Sequence, residues 1–301
     1  MVIFFLGLAT VVVPLVVLDW LIYSGYSSKW GWLVKVLAAG GATLFFYMAA
    51  PWGLTSYYMR FVMLGLFLVA AVYAYRRTRG LRWVVVRKRR GRQLLLTVFL
   101  AAFVALNVWA FLGKSYTGTP VALSFPLQGG SYYVLQGGSN GLTNPFHELG
   151  PHGRLSLDIV KLNQYGNRAN SLMPSRLGQY HIYGEVLYSP CSGTVRKAMT
   201  GLPDNAPDYA DKSNPLGNHV VIVCQGVEVT LAHMMQDSVL VEKGNRVAEG
   251  RPIGKVGNSG FSNEPHLHIQ ANKADGRPTP MRFDSRFLSI NDLVVSGGQS
   301  G

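Results

Sequence analysis

The sequence predicts a membrane α-helical region with four transmembrane helices, followed by an all-β domain built on an antiparallel sheet. Two observations predict this division. Four long apolar stretches fall within residues 1–113, whereas residues 114–301 contain short β-branched runs that alternate with clusters of Gly, Pro and Asn. The chain has 301 residues, which is enough for both parts.

The apolar stretches each have the length of a membrane-spanning helix, which takes about 20 mostly apolar residues. They cover approximately residues 2–23, 32–51, 57–75 and 93–113. The first stretch has neither the basic start nor the small-residue cleavage site of a signal peptide, so we interpret it as a retained helix.

Charge is concentrated in the membrane region and predicts its orientation. Of the formal net charge of +13, residues 1–113 carry +11, and nine of their basic residues lie between Arg76 and Arg92 without an acid. Positively charged loops stay in the cytoplasm, so the basic loop 76–92 is predicted to be cytoplasmic. The last helix then places residues 114–301 outside the cytoplasm, and four spans place the N-terminus outside as well.

The same charge distribution bears on partners. Residues 114–301 carry only +2, so the basicity of the chain does not indicate a nucleic-acid partner. The basic loop instead indicates contact with anionic membrane lipid. Four spans exceed what anchoring requires, which suggests a role for the helices in sensing or in binding a partner protein in the membrane.

Residues 114–301 predict a sandwich or a barrel-like sheet, because short strand-like runs recur between turn residues. The runs are 155–160, 193–198, 219–224, 227–232, 252–256 and 266–270. Two polar segments, 161–180 and 199–217, are predicted to be long loops that form lids or groove walls. Cys191 and Cys224 would lie in an oxidising compartment, which predicts a disulfide.

The chemistry is concentrated in the histidines. His266 and His268 are separated by one residue, and alternate residues of a strand point to the same face about 6–7 Å apart. Neutral imidazole is a favoured zinc ligand. All seven histidines fall between His147 and His268, so the pattern predicts a metal site.

Five segments in order resemble the lysostaphin/LytM-type zinc metallopeptidases. These are Leu157–Val160, Cys191–Val195, Leu231–His233, Val247–Gly260 and Glu264–His268. The resemblance covers roughly residues 120–275, which we take as the core of the domain 114–301, and it does not extend to residues 1–113. It implies a small antiparallel β fold with a groove and a single zinc ion on the groove floor.

The resemblance also implies roles for individual residues. Asp158 and His268 correspond to zinc ligands, and His233 and His266 correspond to the two histidines that flank the substrate carbonyl and the attacking water. A catalytic zinc site has three protein ligands and an open position, so one more histidine is required. Glu264, beside the last motif, is a candidate base, but we favour its interpretation as a turn residue before Pro265.

The first motif departs from the usual pattern. Many members of the family place a histidine four residues before the aspartate, where this chain has Arg154. The remaining candidates are His152, six residues before Asp158, and His147, eleven residues before it. Asn144–His147 resembles a branch of the family with a more distant histidine, which slightly favours His147. Spacing alone leaves both open.

The resemblance implies a membrane-anchored zinc endopeptidase that hydrolyses peptidoglycan cross-links or stem peptides. Because some relatives keep the fold without the metal, the irregular first motif leaves a second hypothesis. In that case the domain is a cell-wall binding or activator module, or an envelope sensor, without strong catalysis.

Overall fold

The computed structural model describes residues 2–84, 90–148 and 153–297. Four long helices open the chain: α1 (Val2–Tyr23), α2 (Lys29–Ala49), α3 (Met59–Arg76) and α4 (Arg90–Leu112). All four are long and apolar enough to cross a membrane, as the sequence predicts. The predicted basic loop 76–92 is described only in part, because residues 85–89 lie outside the described residues.

Helix α2 is the centre of the helical region, since α1, α3 and α4 all pack on it. Two adjacent glycines permit this close packing. A Cβ atom on Gly40 would lie 3.0 Å from the ring of Phe67 in α3, and one on Gly41 would lie 3.3 Å from Phe103 in α4. The α4 side chain of Asn107 also donates a hydrogen bond to the carbonyl of Gly41 at 2.8 Å.

The β domain contains thirteen strands among the described residues and one short helix, α5 (Pro145–Glu148). The strands are β1 (Val121–Leu123), β2 (Gly130–Gln136), β3 (Leu157–Leu162), β4 (Val186–Tyr188), β5 (Gly193–Met199), β6 (Asn218–Cys224), β7 (Val227–Met234), β8 (Arg246–Val247), β9 (Pro252–Lys255), β10 (Leu267–Asn272), β11 (Met281–Phe283), β12 (Arg286–Phe287) and β13 (Leu293–Ser296). The prediction of a mostly antiparallel sheet domain after the helices is confirmed.

Eight strands form the main antiparallel sheet in the order β13-β2-β3-β10-β7-β6-β5-β8. One face of this sheet packs against two small sheets, β1-β11-β12 and β4-β9, around an apolar core. Cys191 and Cys224 form a disulfide at the edge of that core, as predicted. Strands β11, β12 and β13 follow residue 275, and β11 pairs with β1 while β13 pairs with β2.

The other face of the sheet receives the loop between α2 and α3, which covers residues 50–58. Side chains alternate along a strand, so Val160 of β3 faces away from the main core and packs with Tyr133 and Leu162 against Tyr57 of the loop. Asp158 lies on the same face as Val160, two residues away. The α2–α3 loop therefore packs on the sheet face that carries the predicted site residues.

Candidate metal centre

The site is assembled where β3 and β10 pair. Asp158 and His268 are direct partners in the antiparallel register of these strands, and the Asp158 Oδ1 atom lies 3.0 Å from His268 Nδ1. Strand β7 runs on the other side of β10 and carries His233 as its penultimate residue. A sheet register that pairs residues distant in sequence thus brings an aspartate and three histidines together.

The site holds two overlapping groups of potential metal ligands, in each of which the ligand atoms lie within 4.8 Å of one another. One group is His147, Asp158 and His268, and the other is His233, His266 and His268. Asp158 Oδ1 is central, since it lies 3.4 Å from the Nε2 atoms of both His147 and His266. The structure therefore brings together five of the six predicted site residues.

The sixth, His152, lies outside the described residues. His147 lies beside Asp158 because Asn144 forms hydrogen bonds both with His147 and with Ser156, which comes just before β3. The buried Asn144 amide donates to the carbonyl of Ser156 at 3.0 Å, and its Oδ1 accepts a hydrogen bond from His147 Nδ1 at 2.7 Å. Arg154, at the position of the usual family histidine, instead pairs with Glu148 on the surface.

Each histidine of the site has one ring nitrogen tied to an acceptor outside the cluster. Besides the Asn144–His147 bond, His268 Nε2 donates to Gln270 Oε1 at 3.1 Å, His266 Nδ1 to the carbonyl of Glu264 at 2.8 Å, and His233 Nδ1 to the carbonyl of Ser259 at 2.9 Å. Such outer partners fix the tautomer and leave the other nitrogen as a lone-pair donor. All four free nitrogens then belong to the site.

Electrostatics match this assignment. Burial lowers the pKa of His147 to about 4 and holds the pKa of His233 well below its usual range, so both imidazoles are neutral at physiological pH. Burial opposes ionisation of Asp158, but the imidazoles of His147 and His266 outweigh it and keep the carboxyl pKa well below its usual range. Burial likewise opposes protonation of His266, yet the Asp158 carboxylate outweighs it and raises that pKa.

The donor set fits a divalent metal ion of the zinc class. It supplies one carboxylate oxygen and neutral imidazole nitrogens, which are the ligands that zinc prefers outside thiolate sites. The Asp158 carboxylate is largely buried, with 13% of the side chain exposed, and it requires a nearby positive charge. A metal cation bound by the ring nitrogens that face Asp158 would supply that charge.

The backbone is strained at the site. His233 has a φ of 59°, in the left-handed region that side chains other than Gly rarely adopt. Two hydrogen bonds hold it there, from His233 N to the carbonyl of Leu216 and from Gly257 N to the carbonyl of His233. Such strain persists only where the surroundings fix it, and it is common at functional sites.

Gly217 offers a test of how His233 is held in place, because it packs against Ser259, whose carbonyl binds His233 Nδ1. Its φ is +57°, and an added Cβ would lie 2.4 Å from the carbonyl oxygen of Ser259. We expect Gly217→Ala to lower the free energy of unfolding by about 1–3 kcal/mol and, by displacing Ser259 and with it His233, to reduce the peptide hydrolysis that the lysostaphin/LytM resemblance implies. Thermal melting and peptide hydrolysis on the full chain measure the two effects.

Gly226→Ala is the matched control for this variant. Gly226 also has a left-handed φ, +81°, but nothing lies within 4 Å of an added Cβ. It should share the backbone penalty and leave hydrolysis unchanged. Equal hydrolysis in the two variants would contradict a role for Gly217 in positioning His233.

Sequence reasoning did not identify the outer partners of the site. Asn144, Gln270 and Ser259 support histidines through hydrogen bonds that depend on the fold, although Asn144 belongs to a motif that the resemblance singles out. Glu264, interpreted as a turn residue, is buried and forms an ion pair with Arg168.

Comparison with known proteins finds a peptidase family in the part of the chain that carries three of the site histidines. Residues 181–280 match the family model described as Peptidase family M23. The matched range includes His233, His266 and His268 and begins after Asp158. A comparison with curated proteins finds no significant match.

Three solved structures illustrate the similarity. A zinc-containing peptidase from Vibrio cholerae is 21% identical with a TM-score of 0.33, over 53% of this chain and 39% of that one. A candidate peptidase M23 from Pseudomonas aeruginosa is 20% identical with a TM-score of 0.30, over 66% and 62%. A candidate glycyl-glycine endopeptidase LytM from Ruminococcus gnavus is 17% identical with a TM-score of 0.31, over 83% and 82%. The chain thus spans about two fifths of the Vibrio protein.

Proposed function

Because residues 181–280 form a peptidase family M23 domain, we propose that this chain is a membrane-anchored zinc endopeptidase that hydrolyses peptidoglycan cross-links or stem peptides. The observation that supports hydrolysis is the Asp158 carboxylate, which lies among four histidines whose outer nitrogens are all tied elsewhere. A binding module has no need for such a donor set. The substrate class comes from the lysostaphin/LytM resemblance.

We assign His147, Asp158 and His268 as the metal ligands. His147 is preferred to His152 because its Nε2 atom belongs to the same ligand group as Asp158 and His268. When bound, zinc supplies a Lewis acid that polarises the scissile carbonyl and acidifies a water molecule. Asn144 and Gln270 hold the two ligand imidazoles in the tautomers that direct their free nitrogens into the site.

His233 and His266 perform the proton transfers and stabilise charge. The Nδ1–H group of each donates to a backbone carbonyl, so each Nε2 atom faces the site as a proton acceptor. One of them accepts the proton of the attacking water and returns it to the leaving amine. The other takes up a second proton on Nε2 from solvent before the substrate binds, and that Nε2–H group then donates a hydrogen bond to the oxygen that becomes negative in the tetrahedral state.

The proposed membrane arrangement has residues 1–113 as the four-helix region and residues 114–301 as the domain outside the cytoplasm. Two sets of contacts support it. The amide of Lys29, the first residue of α2, donates to the carbonyl of Arg82, after α3, so the start of α2 and the end of α3 lie at the same end of the helical region. The α2–α3 loop lies at the opposite end, where it contacts the β domain through Tyr57 and Gly166.

The proposal is tested by zinc content and release of wall peptides, both measured on the full chain in detergent. We expect about one zinc ion per chain, lost with hydrolysis in His147→Ala and His268→Ala and kept in His152→Ala. If His152→Ala loses zinc and His147→Ala retains it, His152 takes the place of His147 as the metal ligand. A folded wild-type chain with neither zinc nor hydrolysis would favour the cell-wall binding or sensor module.

A further inference from the structure

The α2–α3 loop contacts the β domain through residues 165–168, which follow strand β3 and its site residue Asp158. Four hydrogen bonds join the loop to residues 165–168. They run from Arg168 Nη1 to the carbonyl of Leu54 at 3.1 Å, from Asn167 Nδ2 to the carbonyl of Thr55 at 3.0 Å, from Ser56 Oγ to the carbonyl of Tyr165 at 2.8 Å, and from Tyr57 N to the carbonyl of Gly166 at 2.9 Å. The helical region and the β domain are therefore joined directly at residues 165–168.

Arg168 connects this loop to the turn before the His-Leu-His motif. Only 3% of Arg168 and 5% of Glu264 is exposed. The Arg168 Nε atom lies 2.9 Å from Glu264 Oε1, and Nη2 lies 2.8 Å from Oε2, which is a bidentate ion pair. The third guanidinium nitrogen, Nη1, is the one that binds the carbonyl of Leu54. A lysine could not make both connections, because it lacks the planar fork.

Glu264 carries the connection to His266. Its backbone carbonyl accepts the hydrogen bond from His266 Nδ1 at 2.8 Å and another from Ser262 Oγ at 2.9 Å. The orientation of the His266 ring thus depends on the position of the Glu264 peptide group. The ion pair with Arg168 fixes the Glu264 side chain and thereby the position of its peptide group.

We propose that Arg168 is a positioning residue through which the α2–α3 loop holds His266 in its catalytic orientation, so that the membrane helices complete the active site and do more than anchor it. The inference rests on the proposed function of His266. A buried ion pair is weak grounds for stability alone, since its desolvation offsets much of its attraction. The chain of contacts from Leu54 through Arg168 and Glu264 to His266 gives this pair a second role.

The test uses the full chain in detergent and three changes. Arg168→Lys keeps the charge and removes the fork. The double variant Arg168→Met/Glu264→Gln removes the ion pair without leaving an unpaired buried charge. Gly53→Ala alters neither residue but displaces the loop, since an added Cβ would lie 2.6 Å from the ring of Tyr133.

We expect all three changes to lower kcat about 10- to 100-fold, with KM and zinc content unchanged, because a small misplacement of a catalytic group costs rate and not binding. A second readout needs no catalysis. In the zinc-free protein, the Nδ1–H signal of His266 in nitrogen-15 NMR should shift or broaden in each variant. The control Lys161→Met/Glu185→Gln removes another ion pair of the β domain, 2.9 Å long, and should change neither readout.

Two results would overturn the proposal. One is wild-type kcat and an unchanged His266 signal in the folded Arg168 variants. The other is a defect in the Arg168 variants together with wild-type kcat and His266 signal in a Gly53→Ala chain whose loop is displaced. In that case the ion pair would position His266 without any contribution from the helical region. A wild-type chain that binds no zinc and hydrolyses nothing would instead remove the proposed function itself.

Discussion

Replacing Asp158 with asparagine is expected to remove the metal and reduce hydrolysis to background. Asp158 is the only carboxylate in either ligand group of the described residues, and its Oδ1 atom lies within 3.4 Å of three histidines. Asparagine keeps the size of the side chain and removes its charge. Loss of an outer partner of a metal ligand already costs about 10- to 100-fold in affinity, so loss of a charged ligand should cost more than about 100-fold.

Zinc content and peptide release measure this result, with Asp275→Asn as the control. Asp275 is an exposed carboxylate that pairs with Arg277 at 2.7 Å, away from the histidines. Its replacement should leave zinc content and hydrolysis unchanged. Stoichiometric zinc and near wild-type hydrolysis in Asp158→Asn would contradict the ligand assignment.

His266→Ala is expected to separate metal binding from catalysis. The assignment gives His266 a proton or charge role beside the metal, so zinc should remain while kcat falls about 100- to 10,000-fold. His268→Ala, two residues further along the chain and within β10, should lose zinc and hydrolysis together. The pair compares two histidines of one motif that differ in proposed role.

The opposite result is equally informative. His233, His266 and His268 form a ligand group of their own. Loss of zinc in His266→Ala, with retention in His147→Ala, would show that this second group holds the metal. The roles of ligand and proton acceptor would then have to be exchanged.

The sequence predicted features that depend on short stretches of chain. The helices and strands such as β6 and β7 follow from apolar length and β-branched composition, which are local properties. Strands β2 and β13 were not predicted, although they pair at the edge of the main sheet. β13 is four residues long, and its partner is more than 150 residues away in sequence, so the pairing that stabilises it leaves no local signal.

The site shows the same limit. Asp158 and His268 could be selected because motif order carries information about the fold. Spacing left both His147 and His152 open, and the position of His147 beside Asp158 depends on hydrogen bonds of Asn144 with His147 and Ser156. The Arg168–Glu264 pair joins residues that lie 96 positions apart, and neither residue is unusual in its local sequence.

The connection between α4 and the β domain has a consequence for where the proposed hydrolysis can take place. Two side chains of the linker are bound to the domain: Lys114 Nζ lies 3.0 Å from the carbonyl of Ile290, and Tyr116 Oη lies 2.6 Å from that of Leu288. Together with the contacts of the α2–α3 loop, these bonds attach the domain to the helical region at two places. In the proposed orientation, the metal site therefore stays at a fixed height above the bilayer. The proposed peptidase would then act only on polymer strands that come down to the membrane surface, and the outer layers of a thick wall would lie beyond it.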